Sequence, residues 1–148
     1  MGFLKANVVR FIQKSITFDG TTGNGAIGNI VYFAITGGVH VVSLDAIVTS
    51  NVTVDGGTGA ASMSLGVVND TVLFIAAVVA TNLTAANGLW YSGTPNANGI
   101  ALPAAYKDIA IKQNIVAAVT SSGTQLVNGG TLVLTVTWVP ITATGNLV

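Results

Sequence analysis

The sequence contains no cysteine and no glutamate, and it has a single histidine, His40. Without cysteine there is no disulfide framework, no thiol nucleophile and no thiolate metal site. Charge is scarce: five Lys+Arg balance five aspartates, and charged residues are 7% of the 148, against about 25% in an ordinary soluble domain. Such a chain has no basic patch to neutralise nucleic-acid phosphates, and it is not an acidic tail. Long apolar runs are missing too, although mean hydropathy is +0.72. The longest run, Val72 to Ala80, falls well short of the ~20 residues that cross a membrane as a helix. Residues 1–15 hold no uninterrupted apolar segment of the signal-peptide kind.

What is present is apolar and rich in small residues. Hydrophobic residues make up 51% of the chain, with 18 glycines, a composition that excludes disorder. A monomer with so little charge dissolves poorly, because surfaces normally carry roughly 25–35% charged residues. The composition therefore predicts a symmetric oligomer or a larger assembly that covers apolar surface.

Period-two alternation marks half-buried strands. It runs through Leu132, Leu134, Val136 and Trp138, through Ala61, Met63, Leu65 and Val67, and through Ile109, Ile111, Gln113, Ile115 and Ala117. Ile30 to Ile35 and Val39 to Val48 are apolar on both faces, as in strands covered on both sides. Gly37-Gly38 between them reads as a hairpin turn. The segment from Asp70, which would cap a helix, through Val72, Leu73, Ile75 and Ala76 fits helix or strand equally. There is no internal repeat and no second domain. Seven to eight strands punctuated by Gly/Asn turns, with at most one short helix, predict an all-β protein: a β-sandwich of the jelly-roll kind over 14–148, preceded by an amino-terminal arm over 1–13.

Few residues offer chemistry. Gly23-Asn24-Gly25-Ala26-Ile27-Gly28 spells a dinucleotide fingerprint, but a strand-like segment follows where a helix is needed, so it reads as a glycine-rich loop. His40 would share a face with Val42, Leu44, Ala46 and Val48. It lacks a signature nucleophile and further metal ligands, so it reads as a histidine in a core or a subunit contact. The five aspartates are scattered singly, and Asp55 and Asp70 suit loops or caps. Trp90-Tyr91 reads either as a plug at one end of the sandwich or as an exposed loop contact for a sugar or a protein. Phe3, Leu4, Val8, Val9, Phe11 and Ile12, together with Lys5, Arg10 and Lys14, make an apolar, weakly basic arm that would dock on a neighbour. No catalytic residue, cofactor or metal is expected.

In their order, Lys14-Ser15-Ile16-Thr17-Phe18-Asp19-Gly20, Gly25-Ala26-Ile27-Gly28, Tyr32-Phe33-Ala34-Ile35-Thr36-Gly37, Leu73-Phe74-Ile75-Ala76-Ala77, Ala97 to Pro103 and Trp138-Val139-Pro140 resemble small virion structural proteins of tailed bacteriophages, similar to head-decoration (cement) proteins. The resemblance implies a non-enzymatic protein on the capsid exterior, a homo-oligomer with a trimer favoured, and the major capsid protein as partner. Nucleic acid and membrane are not implied. The alternatives are a receptor- or glycan-binding module of a fibre or spike, and a subunit of the shell itself.

Overall fold

A computed structural model describes residues 8–91, 94–98 and 108–148. The expectation of an all-β sandwich holds. The strands are β1 (Arg10–Thr17), β2 (Gly28–Phe33), β3 (Ile35–Thr36), β4 (Val39–Val54), β5 (Ala61–Val67), β6 (Asp70–Val79), β7 (Ile109–Ile111), β8 (Ile115–Ser121), β9 (Val127–Pro140) and β10 (Asn146–Leu147). Single 3-10 turns at Ala80–Asn82 and Ala85–Asn87 are the only helical elements among the described residues. One sheet runs β1-β9-β4-β7 and the other β2-β8-β5-β6, with a small β10-β3 pair at the side.

Every pairing between these strands is antiparallel, and the main pairings nest. β5 pairs with β6, β4 with β7, β2 with β8, and β1 with β9. Two further pairings, β4 with β9 and β5 with β8, knit these ribbons into two sheets. The inner faces follow the alternation in the sequence. Leu132, Leu134, Val136 and Trp138 of β9 are buried, as are Met63, Leu65 and Val67 of β5 and Ile115, Ala117 and Val119 of β8.

Several local readings are corrected. The arm boundary at 13/14 falls inside a strand: β1 begins at Arg10 and pairs in unbroken register from Arg10↔Trp138 to Thr17↔Thr131. Lys14 interrupts the apolar row of Ile12, Ile16 and Phe18 and disguises its period. Gly37-Gly38 is not a hairpin turn, because β2 and β4 lie in different sheets. It is where the chain changes sheet. Gly37 sits at φ 67, and a Cβ there would lie 2.5 Å from the Thr142 hydroxyl. The 109–118 alternation is likewise two strands in two sheets, β7 and β8.

The ambiguous apolar run is strand β6, and Asp70 caps no α-helix. Its carboxylate accepts from the Val72 amide at 3.3 Å, a local turn. Here β6 bulges, so that Leu65↔Ile75 is followed by Val67↔Asp70. The strands most covered on both faces are β5 and β8, with Ser64, Gly66, Val116 and Ala118 also buried. β4 instead alternates between buried and partly exposed positions.

The bulge explains Gly66: a Cβ there would stand 2.1 Å from the Asp70 carbonyl oxygen, whereas one at Gly56 would meet nothing within 4 Å. Gly66→Ala should cost about 1–3 kcal/mol, the usual penalty of overpacking, while Gly56→Ala should leave stability nearly unchanged. Urea unfolding midpoints of the two variants check this.

Candidate functional site

The outer face of the first sheet carries two of the residues singled out in the sequence, Phe11 and His40. From Leu132 to Trp138 the inner side chains of β9 are its even-numbered residues, so Thr131, Val133, Thr135, Thr137 and Val139 point outward and are half-buried. Residues directly opposite one another share a face, and the registers therefore build rows across the sheet. Phe11, Thr137 and Ser43 form one row, Gln13, Thr135 and Asp45 the next, and Ser15, Val133 and Ile47 the third. Gln13 Nε2 donates to Thr135 Oγ1 at 3.0 Å. The surface is polar but nearly uncharged.

His40 lies at one end of this face, and the even-residue reading of its surroundings is corrected. A register shift between Val41 and Ser43 reverses the alternation in β4. Leu44, Ala46 and Val48 therefore pack into the core while His40 is 34% exposed. Its Nε2 stands 3.6 Å from Asp108 Oδ1, and Asp108 holds φ 55, a conformation that aspartate tolerates better than most residues. Among the described residues no hydroxyl hydrogen-bonds to His40, so the nucleophile–base contact of a triad is not assembled there.

Trp90 is a core residue, not a loop contact. Its amide donates to the Ala46 carbonyl and the Val48 amide donates to the Gly88 carbonyl, fastening residues 88–90 along β4. The Trp90 side chain is fully buried, and its Nε1 has no hydrogen-bond partner among the described residues. Tyr91 is mostly buried as well, and its hydroxyl donates to Asp45 Oδ1 at 2.9 Å. Nothing in the residue order signalled this Tyr91–Asp45 bond, because the partners are far apart in the chain. Burial and the neighbouring Asp45 carboxylate push the Tyr91 phenol up to about 12. Burial alone pushes the Tyr32 phenol upward.

Of the arm residues, Phe3 and Leu4 lie outside the described residues. Val8, Val9 and Phe11 are exposed, Phe11 at 77%. Ile12 instead packs against the core. The edge residues Gln13, Ser15 and Thr17 were not singled out in the sequence, although their polar alternation with Ile12 and Ile16 was visible.

The remaining motifs are structural. The Gly23–Gly28 segment precedes strand β2 and is tied to β9 by the Val127 amide, which donates to the Gly25 carbonyl. Asp19 accepts from both the amide and the hydroxyl of Thr21, which holds its carboxyl below the usual range. A shallow cleft of about 260 Å³ is lined by Thr81, Asn82, Thr84, Asn87, Thr94 and Pro95, with no acid or base among them. No group of three metal-ligating side chains occurs among the described residues. No protein-family model, curated protein or solved structure matches the chain.

Two outcomes follow from the site. Tyr91 and Tyr32 have folded-state values above the ordinary ~10 of tyrosine. Their neutral phenols thus contribute stability that is intact below about pH 10 and is lost as pH rises through the folded values. Melting temperature should fall steeply toward pH 12, and Tyr91→Phe should flatten part of that fall. At neutral pH the same variant should lose about 1–2 kcal/mol, the worth of a hydrogen bond to a charged group. By contrast, His40→Gln removes only a solvent-exposed ion pair and should change the unfolding free energy by less than about 1 kcal/mol in a denaturant titration.

Proposed function

We propose that this protein is a non-enzymatic virion structural protein, a decoration (cement) protein that binds the outside of a phage head as a symmetric oligomer and contacts the major capsid protein. The observation that carries the assembly reading is the exposure of Val8, Val9 and Phe11 on a chain with 7% charged residues. A lone soluble domain normally avoids joining apolar exposure to so little charge.

Two further points support the virion reading. The first is the residue order that resembles phage structural proteins. The second is the nested strand order. With the two-residue β3 set aside, β1-β9-β4-β7 facing β2-β8-β5-β6 is the order obtained by wrapping one long antiparallel ribbon into a barrel-like sandwich. We read it as a jelly roll, an architecture used by viral capsid domains and also by lectins and cupins. Because fold alone does not fix function, the apolar surface is what favours the capsid use in this reading. The fibre or spike reading leaned on Trp90, Tyr91 and the loop to Asp108; the two aromatics are buried, and residues 92–93 and 99–107 of that loop lie outside the described residues.

In this reading the mechanism is mechanical. Each copy adds a modest contact across capsomer boundaries, and an oligomer engages several at once, so that avidity exceeds the single-site affinity. Hundreds of copies per particle on a stained gel of purified virions would agree with it, and tens would favour a fibre. Removing residues 1–9 spares every β1–β9 pairing. The truncated chain should fold with a melting temperature close to that of the full chain, yet be lost from particles in a sedimentation assay. Unfolding of the truncated chain in isolation would overturn the assembly role of this segment.

A further inference from the structure

We infer that β1 is the self-association edge of this protein, and that two copies join through an antiparallel β1–β1 pair centred on Gln13. The inference rests on the assembly reading and supplies the contact that it lacks.

The sandwich has four edge strands: β1 and β7 in one sheet, β2 and β6 in the other. Natural sheets protect their edges by keeping them short, bulged or charged. β7 spans only Ile109–Ile111. β2 has a register irregularity between Val31 and Phe33, and β6 is bulged and opens on Asp70. β1 is neither short nor bulged, and its only protection is the pair of cations Arg10 and Lys14. It runs eight residues without a bulge, proline or acid, in unbroken register with β9.

Its free hydrogen-bonding groups can be assigned. The Phe18 amide donates to the Gly130 carbonyl, which continues the β1–β9 register. In an antiparallel strand the backbone groups of alternate residues point to the same side. The even residues Arg10, Ile12, Lys14 and Ile16 therefore bond to β9. Phe11, Gln13, Ser15 and Thr17 present their N–H and C=O groups at the open edge, and their side chains lie on the outer face, where Asp45 is two strands away.

Charge then selects both partner and register. The cations of β1 are turned to its other face: Arg10 lies over the Trp138 ring at 5.2 Å, and Lys14 donates to the Tyr32 carbonyl at 2.6 Å. A second β1 is thus not repelled along the outer row. Extending one continuous sheet requires odd residues to pair with odd. Centring on Ile12 would set Arg10 against the second copy's Lys14, and centring on Lys14 would set two lysines face to face. Like charges directly opposite are destabilising. Centring on Gln13 sets Arg10 against Ile16, Ile12 against Lys14, Phe11 against Ser15, and Gln13 against itself. That register forms about six backbone hydrogen bonds and brings the exposed Val9 opposite Thr17. The contact is isologous and closes at two copies.

A charge swap on the full chain tests this. In sedimentation velocity across a concentration series the wild type should form dimers. Gln13→Lys and Gln13→Glu each place like charges at the centre of the pair, and each alone should weaken dimerisation roughly fivefold. An equimolar mixture of the two should restore it, and that rescue also shows both variants to be folded. Wild-type dimers that ignore both substitutions, or a wild-type trimer, would overturn the β1 pair and leave the assembly reading standing. A wild type that stays monomeric at all concentrations would overturn both.

Discussion

The sandwich depends on β9. It is the shared partner of β1 and β4, and its inner row of Leu132, Leu134, Val136 and Trp138 is buried against the opposite sheet. Each of the four contributes on the order of 1.5–3 kcal/mol from burial before ordering costs. Because β1 opens the described chain and β9 closes its last long strand, the first sheet cannot assemble until nearly the whole sequence is present. The nested order makes most pairings long-range, which places the protein among slow-folding topologies.

With few charges available, amide and hydroxyl side chains complete the backbone where the chain leaves a sheet. Asn114 Oδ1 accepts from the Ile35 amide, and Thr142 Oγ1 accepts from the Gly38 amide. Gln125 Oε1 accepts from Ala61 while its Nε2 donates to the Asp55 carbonyl. Asp55 Oδ1 takes the amides of both Gly57 and Leu126. These contacts answer the requirement that backbone polar groups leaving the ladder find partners. The Tyr32 hydroxyl and the Trp90 Nε1 are buried without one among the described residues. Each such group costs about 1–3 kcal/mol, which the burial of two large aromatic side chains offsets.

The class of fold was legible because period two is a direct consequence of the pleat. Leu132 to Trp138 and Ala61 to Val67 alternate in the sequence as they do in the sandwich. The misreadings have two causes. Parity fails at bulges: the shift near Val42 places His40 on the side opposite Leu44, and no residue type there announces it. Local pattern is also blind to which sheet a strand enters. Gly37-Gly38 and Lys112–Asn114 resemble a hairpin turn and a continuous strand, yet both are passages between sheets. The burial of Trp90 depends on residues 88–90 pairing with β4, a long-range contact that adjacent residues do not encode.

The scarcity of charge has a structural counterpart in how the described cations are used. Arg10 and Lys14 cover aromatic rings and bond within the chain, so they do little to keep copies apart. A protein at zero net charge loses the long-range repulsion that holds molecules separate. What then separates a specific contact from aggregation is geometry. On β1, with bonding groups at fixed intervals and cations at Arg10 and Lys14, the two registers that flank the Gln13-centred one are penalised. Thus Arg10 and Lys14 supply on β1 the discrimination that bulges and shortness supply on the other edges.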